Sequence, residues 1–384
     1  MLLGTLALFV VSLGYGVIVP LLPDLAGGRA ATDEALLSAV YASYAATKIA
    51  VQVPGGVWVD RVGPDRVMGL ALVGYSLSLV GFLFGGDLRW FTAVRALEGA
   101  ATGLVYPAAF ALAMRGADPL RTGRRLGTMA GLGTAGLLVG PALGGWLGET
   151  DPRLPVWVAL AATMPVLVWA LLRKAEKPTR VEERTVGDEV RGLVKLARNL
   201  AFVALMLPIA FNKLTFSSFQ GLLPLWGPDV LGVGTRGVTA YFILTGVCFG
   251  AAQPLAGWLA DKMGARPVVL VAALPMLFAL GALAWIEDPI WFGVAYGSYV
   301  AAASVMFTAT MKHAARAFGT EDTYGGLFGM LGTLTDLMTI VGPLLFINMY
   351  AGIRADVGLW MAGIGVVFFV AYALRAPHSE EIAT

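Results

Sequence analysis

The stretch from Gly56 to Arg66 reads Gly-Val-Trp-Val-Asp-Arg-Val-Gly-Pro-Asp-Arg and separates two long apolar runs. Its four charged residues are costly to place in hydrocarbon, so we expect a short loop at a membrane surface. The second half of the chain repeats this stretch from Gly257 to Arg266, as Gly-Trp-Leu-Ala-Asp-Lys-Met-Gly-Ala-Arg, again between apolar runs. The repetition predicts a protein built from two related halves.

Further landmarks recur at almost the same offset along the chain. They are Pro20, Pro23 and Asp24 with Pro224, Pro228 and Asp229, and Gly140-Pro141 with Gly342-Pro343. A repeat of half a membrane chain is typical of transporters that consist of two related helical bundles.

The composition places the chain in a bilayer. It has 58% hydrophobic and only 14% charged residues, which is too little polar surface for a soluble globule of 384 residues. Its 49 glycines and 20 prolines fit this interpretation, because small residues let membrane helices approach closely. The single cysteine, Cys248, excludes an internal disulfide and a cysteine-based metal site, and we expect no metal and no other cofactor.

Twelve apolar runs are long enough to cross the membrane, since a span needs about 20 residues. We therefore predict an all-α integral membrane protein with two pseudo-symmetric six-helix bundles. The predicted spans lie near 2–26, 36–58, 66–86, 89–114, 124–148, 155–173, 200–226, 236–260, 267–286, 289–311, 325–349 and 357–375. The first run has no basic leader and no small-residue cleavage site, so we expect it to be retained. The predicted domains are an N-terminal bundle at 1–172, a linker at 173–199, a C-terminal bundle at 200–376 and a tail at 377–384.

Basic residues predict the orientation. With the termini inside, the inner loops hold most Lys and Arg, including Lys312 and the Arg173–Arg198 group, whereas the outer loops hold only Arg29, Arg89, Arg153, Arg236 and Arg354. The positive-inside rule then places both termini and the linker in the cytoplasm. We expect a multi-pass protein of the cytoplasmic (inner) membrane. Residues 186–197 of the linker form either a short amphipathic helix on the membrane face or a plain solvated segment, and both interpretations stay open.

The paired loops resemble the major facilitator superfamily. Gly56-x-x-x-Asp60-Arg61-x-Gly63 is similar to the family's signature between the second and third spans, and Asp261-Lys262 lies in its weaker second copy. Pro64 and Asp65 depart from the pattern, which usually has a basic residue there. The departure lowers the positive charge of the loop and keeps Asp60 beside Arg61.

Three further motifs resemble that family. Arg95-Ala-Leu-Glu98-Gly99 is similar to its Arg-x-x-Gln-Gly motif, with Glu98 in place of the amide. The stretch from Gly136 to Gly145 resembles the fifth-span motif of exporter members, and Gly14-Tyr-Gly16 is similar to the twelve-span drug:proton antiporter branch. The resemblance covers essentially the whole chain and implies export by alternating access between two bundles.

The motifs also predict moving parts. Glycines at four-residue spacing share one helical face and allow a close partner helix, while a proline bends the span. The predicted rocking surface is Gly136, Gly140, Pro141, Gly144 and Gly145, and ordinary close packing is the alternative. The predicted conformational latch is Gly56, Asp60, Arg61, Gly63, Asp261 and Lys262, and the alternative is that these charges only fix the topology.

Five charged residues fall well inside apolar runs: Lys48, Arg95, Glu98, Lys213 and Asp336. Burying such a group costs at least about 2.5 kcal/mol, so each should have a partner. We predict that Glu98 beside Arg95, or Asp336 beside Lys48 or Lys213, carries a transported proton. A permanent ion pair is the alternative for either acid.

Polar and aromatic residues on apolar spans predict the lining of a substrate cavity suited to a lipophilic solute. These candidates are Tyr15, Gln52, Tyr106, Asn212, Phe216, Gln220, Tyr241, Gln253, Tyr296, Tyr299 and Asn348. The alternative for each aromatic residue is ordinary packing or a place in the interfacial belt.

The predicted function is proton-coupled, multidrug-type efflux of hydrophobic or amphiphilic small molecules by a monomer embedded in membrane lipid, with no nucleic acid partner. The alternatives on the same fold are a lipid flippase or exporter and an organic-anion transporter, because three buried basic residues face two acids. An enzyme is not expected, since the sequence has no zinc-ligand pair, no nucleophile elbow and no phosphate loop. A transporter-like receptor would need a signalling domain, and the tail after Arg375 is short.

Overall fold

The computed structural model describes residues 1–25, 34–85, 87–116, 121–148, 150–173, 191, 194–319, 323–353 and 356–377. Within these ranges the chain is almost entirely helical and forms no strand. Its long helices are α1 Leu2–Leu25, α2 Glu34–Val62, α3 Pro64–Leu83, α4 Leu88–Met114, α5 Thr122–Gly148, α6 Leu154–Leu172, α7 Leu200–Val230, α8 Thr235–Met263, α9 Ala265–Ala282, α10 Pro289–Phe318, α11 Tyr324–Ile353 and α12 Val357–Arg375. The prediction of an all-α membrane fold with twelve helices is confirmed.

Nine of these helices are long and apolar enough in the described part of the chain to cross a membrane, and α1 adds a shorter apolar stretch, Leu2–Ile18. Helices α2 and α5 reach similar lengths and carry the charged and glycine-rich motifs. Both are long enough to cross a membrane, since a span needs about 20 residues.

The observed helix ends lie within about four residues of the predicted ones, with one exception. Helix α10 continues to Phe318, well beyond the predicted end at 311, so the prediction that Lys312 lies in a loop is wrong. The extra turns are stable because Lys312 and His313 find hydrogen-bond partners inside the fold. The length of an apolar run therefore underestimates the length of a helix whose last residues are polar and hydrogen-bonded to other parts of the protein.

Short polar caps and two glycines define the helix ends. Asp87, Asn199 and Asp288 each accept a hydrogen bond from a first-turn backbone amide of α4, α7 and α10, at 2.9 Å. Gly63 and Gly264 connect α2 to α3 and α8 to α9 with φ of 95° and 87°. Such positive φ values favour glycine, which explains why both copies of the repeated loop contain it at this position.

The chain divides into two compact units. Unit 1 comprises Met1–Gly116, Leu132–Leu193 and Thr320–Thr333, and unit 2 comprises Ala117–Gly131, Val194–Gly319 and Leu334–Thr384. Each unit therefore includes the first part of one helix, α11 or α5, whose remainder belongs to the other unit. The domain limits drawn from the sequence remain predictions. Of the predicted linker helix the structure describes only Arg191 and residues from 194 onward, and the tail beyond 377 lies outside the described residues.

Both units contain the same close helix contact at the repeated Gly-Pro landmark. In unit 1, a Cβ at Gly140 would lie 2.5 Å from the carbonyl oxygen of Leu13, and in unit 2 a Cβ at Gly342 would clash with the carbonyl oxygen of Leu214. Gly136 meets the carbonyl oxygen of Phe9 in the same way. These glycines let backbones touch, as in other small-residue membrane interfaces. The side chain of Pro141 and the surroundings of Gly145 lie outside the described part, and the rocking role remains a prediction.

The interior of unit 2 is rich in aromatic rings. Phe219 lies 5.1 Å from both Tyr296 and Tyr299 between ring centroids, and Trp226 lies 5.6 Å from Phe292. Tyr299 donates a hydrogen bond to Thr215, and Tyr296 shares one with Thr245, so the buried hydroxyl groups are satisfied. This cluster gives α7, α8 and α10 a rigid common core.

Candidate functional site

A buried ion pair lies in unit 1. Nη1 of Arg95 donates to Oε2 of Glu98 at 2.7 Å, one turn further along α4, and neither side chain is more than 1% exposed. The other carboxylate oxygen of Glu98, Oε1, has no hydrogen-bond partner among the described residues. The two residues are therefore paired in the structure, and the proton-carrying role of Glu98 stays a prediction.

Aromatic rings enclose the guanidinium of Arg95. Its Cζ lies 4.6 Å from the ring centroid of Tyr44 and 5.4 Å from that of Tyr15, and the two rings are 5.0 Å apart. Cation–π contacts of this kind stabilise a cation in place of water. Gly99 follows on the same helix and packs against the carbonyl oxygen of Tyr44, which holds α4 close to α2. The ion pair is thus surrounded by tyrosines that fix its position.

The two predicted lysines have similar environments, one in each unit. Nζ of Lys48 lies 4.9 Å from the ring centroid of Tyr106 in unit 1. Nζ of Lys213 lies 4.9 Å from the ring of Phe307 and 5.7 Å from that of Phe216 in unit 2. Both lysines are partly exposed. Asp336 is also partly exposed and belongs to unit 2 together with Lys213.

The first loop motif caps a helix. The two carboxylate oxygens of Asp60 accept hydrogen bonds from the backbone amides of Gly325 and Gly326, each at 2.6 Å, in the first turn of α11 within unit 1. A carboxylate at a helix N-terminus satisfies free amides and interacts favourably with the helix dipole. Gly56, one turn earlier, packs against the backbone of Gly325, so a side chain there would clash. Asp60 of the predicted latch therefore binds the N-terminal end of α11.

The second loop motif repeats this arrangement in unit 2. The carboxylate of Asp261 accepts hydrogen bonds from the amides of Gly123 and Arg124, at 2.7 and 2.8 Å, in the first turn of α5. Lys312 adds an ion pair to Asp261 at 2.6 Å and also donates to the carbonyl oxygen of Ala260 at 2.7 Å. Each of the two repeated aspartates thus caps one of the two helices that the units share.

Sequence reasoning missed Lys312 as a member of this site. Lys262, which the predicted latch includes, has its Nζ 5.1 Å from the ring centroid of Trp258, and its role in the latch stays a prediction. Lys312 directly follows the apolar run that ends at residue 311, and this position is the signal that could have indicated its role. A lysine so close to a span can extend its ammonium group toward the membrane surface.

Asp65, which departs from the family pattern, is buried rather than exposed at the loop. It pairs with Arg115 at 2.5 Å and with Arg173 at 3.4 Å, at the ends of α4 and α6. The acid therefore ties three helix ends of unit 1 together. Its partners are far away in the sequence, which is why the motif alone could not reveal them.

The remaining cavity candidates are distributed over both units. Asn212 is fully buried and donates from Nδ2 to the carbonyl oxygen of Ala303 at 2.5 Å. Tyr241 donates to the carbonyl oxygen of Pro289, and Asn348 is exposed and bonds to Leu344 of its own helix. Gln52 and Gln253 are buried at equivalent places of α2 and α8, and the side chain of Gln220 lies outside the described residues. A shared role of these residues in lining a cavity remains a prediction.

The described part of the chain contains long helices in two units, with helix contacts that recur in both units and a buried ion pair. These features are typical of a polytopic transporter. Within the described ranges no cluster of three or more His, Cys, Asp or Glu could hold a metal ion.

The chain belongs to the Major Facilitator Superfamily, whose pattern it matches over residues 4–343. It is 25% identical to the tetracycline resistance protein, class D, of Salmonella ordonez over 95% of this chain and 94% of that protein. It is also 25% identical to multidrug resistance protein 1 of Bacillus subtilis over 64% of this chain and 62% of that protein. The human organic anion transporter MFSD10 shares the fold, with a TM-score of 0.80 and 18% identity over 96% of this chain and 98% of that one.

These comparisons establish a multi-pass membrane transporter with drug-resistance relatives. They confirm the family resemblance drawn from the loop motifs, and they place the chain among transporters and not among enzymes. The structural similarity at 18% identity concerns the fold alone.

Proposed function

We propose that this protein exports hydrophobic or amphiphilic small molecules in exchange for protons by alternating access. The observation that carries the proposal is the fully buried Arg95–Glu98 pair of α4, in which one carboxylate oxygen accepts no hydrogen bond within the described structure. Family membership and relatives named for tetracycline and multidrug resistance support export of organic compounds.

The proposed coupling follows from the cost of a buried charge. A carboxylate inside the membrane is tolerated when a cation neutralises it or when it binds a proton. Protonation of Glu98 would release Arg95 from its ion pair, and deprotonation would restore the pair. If one orientation of the transporter favours the protonated acid, the proton gradient biases the equilibrium between orientations.

The proposed membrane orientation follows from the positions of the basic residues. The protein lies in the inner membrane with both termini in the cytoplasm, since Lys and Arg cluster at one set of loops. It acts as a monomer, takes its lipophilic substrate from water or from membrane lipid, and needs no cofactor besides the coupling proton.

The experiment that tests this function uses purified protein in proteoliposomes with an imposed pH gradient and a panel of fluorescent dyes and labelled lipids. Accumulation of a lipophilic dye against its own gradient, abolished when the pH gradient is collapsed, supports the proposal. Transport of lipids alone, or dye transport that ignores the pH gradient, contradicts it.

A second candidate function is transport of organic anions. It is favoured by Lys48 and Lys213, which hold their ammonium groups over aromatic rings in each unit. A lysine ammonium group can bind the anionic group of a solute while a neighbouring ring contacts the apolar body of that solute. The shared fold with an organic anion transporter is compatible with this candidate.

Replacing Lys48 and Lys213 with methionine separates the two candidates. If the main substrates are neutral or cationic lipophiles, we expect the double variant to keep dye export near the wild-type rate. Export of an aryl carboxylate is expected to fall in the double variant, because the positive charges are gone while similar volume remains. The measurement is transport of each probe in proteoliposomes, with Lys195→Met at an exposed position as the matched control. Loss of cationic dye transport together with the anion would contradict the assignment of the lysines to anion binding.

A further inference from the structure

An apolar groove of about 530 Å³ lies in unit 2, between the start of α7 and the end of α12. Its walls include Leu200, Val203, Val367 and Val370, and Arg375 is the one charged residue among the described residues that line it. Leu200 and Leu374 expose 66% and 77% of their surface. In a membrane protein such an apolar, open surface contacts lipid chains and not water.

The length of the groove matches one leaflet of the bilayer. Along α7 it runs from Leu200 to Leu207, a rise of about 10 Å, and along α12 from Val366 to Arg375, a rise of about 14 Å. Half of a hydrocarbon core of about 30 Å is about 15 Å. One acyl chain lying along the groove would therefore reach from the surface to the bilayer centre.

Positive charge lies at one end of the groove. Arg375 is the last residue of α12, and Arg198 precedes the first residue of α7 by two positions. Nη2 of Arg266 also reaches the end of α12, where it donates to the carbonyl oxygen of Ala373 at 2.6 Å. Among the described residues, none that lines the groove is acidic. Arginines beside a membrane-spanning helix attract anionic lipid headgroups.

We propose that this groove binds an anionic phospholipid, with one acyl chain between α7 and α12 and the headgroup phosphate at Arg375 and Arg198. A guanidinium suits a phosphate because it donates two parallel hydrogen bonds. The bound lipid would fill the space between α7 and α12 of unit 2. Helix α7 also contains Asn212 and Lys213, which are candidate residues of the substrate cavity.

The test is native mass spectrometry of the purified protein titrated with phosphatidylglycerol or phosphatidylcholine of identical acyl chains. We expect tighter binding of phosphatidylglycerol. Arg375→Gln should weaken that binding about fivefold, and adding Arg198→Gln should weaken it about fivefold again, with little effect on phosphatidylcholine. Arg89→Gln removes an exposed arginine at the start of α4 and serves as the charge-matched control.

A second variant tests the groove itself. Ala371→Phe places a ring between α7 and α12 and should reduce the binding of both lipids. Ala161→Phe, at an exposed position of α6, adds the same volume and should leave the binding of both lipids unchanged. Equal affinity of the two lipids for wild-type protein, or equal effects of Arg375→Gln and Arg89→Gln, would overturn the proposal. If Ala371→Phe does not elute as a folded protein, the arginine variants decide alone.

Discussion

Glu98→Gln is expected to abolish uphill export while downhill exchange of the same substrate remains measurable. Glutamine keeps the shape and one acceptor oxygen for Arg95, but it cannot bind and release a proton. The site is buried and held by Arg95 and Tyr44, so the substitution should leave the fold intact. Without a titrating acid the proton gradient has no differential effect on the two orientations of the transporter.

The measurement compares dye accumulation under a pH gradient with dye exchange at equal pH, in proteoliposomes that contain equal amounts of protein. Asp336→Asn is the informative parallel variant, because Asp336 is the other predicted coupling acid and is partly exposed. We place Glu98 ahead of Asp336, because Glu98 is fully buried beside Arg95 and occupies a position of a family motif. If both amide variants still concentrate the dye, coupling through these acids is wrong, and a sodium-coupled, uniport or lipid-flipping mechanism gains support.

The second large effect is expected at the helix cap formed by Asp60. Asp60→Asn removes the charge and one of the two acceptor oxygens that bind the amides of Gly325 and Gly326. A charged hydrogen bond contributes about 1.5–3 kcal/mol, so the capped arrangement should lose at least about tenfold in population. Turnover should fall by a similar factor, while substrate affinity changes little.

Two further variants sharpen this test. Gly56→Ala disturbs the same contact without changing any charge, because its Cβ would meet the backbone of Gly325. Asp261→Asn weakens the equivalent cap on α5. We expect both to slow turnover measured in proteoliposomes at substrate affinities close to wild type, measured by equilibrium binding. A loss of binding and transport in proportion to protein abundance would instead indicate that these residues serve folding and topology.

Much of the architecture could be predicted because membrane helices leave a strong local pattern. The apolar runs determine where α3, α6, α9 and α12 lie, and the repeated loops at Gly63 and Gly264 indicate the doubling of the chain. The pairing of Arg95 with Glu98 could also be predicted, since residues three apart on a helix lie on the same face. These features depend on neighbours in the sequence.

Contacts over long sequence distances could not be predicted in the same way. The binding of Asp60 to the start of α11, the pairing of Asp65 with Arg115 and the ion pair of Lys312 with Asp261 all join distant segments. The wrong placement of Lys312 in a loop has this cause. His313, the next residue, also binds distant residues, since Tyr372 and the carbonyl oxygen of Pro377 are hydrogen-bonded to its ring nitrogens.

The repeat also relates two buried glutamines, Gln52 and Gln253, and the glycines that pack against them. Gly127 packs against the carbonyl oxygen of Gln253, and Gly329 packs against that of Gln52. The two glutamines occupy matching positions after the two halves are aligned on their loop motifs. An alignment of the halves indicates that the two glutamines are equivalent, whereas their contacts with glycines of α5 and α11 come from the structure.

The central claim, exchange of a lipophilic substrate for protons, is tested most directly by substrate-induced proton movement. Proteoliposomes without an imposed pH gradient are loaded with a pH-sensitive dye, and an outward or inward substrate gradient is then applied. The account predicts proton flux opposite to the substrate flux in wild-type protein and none in Glu98→Gln. Substrate flux in the wild type with no accompanying pH change, or with protons moving in the same direction as the substrate, would contradict it.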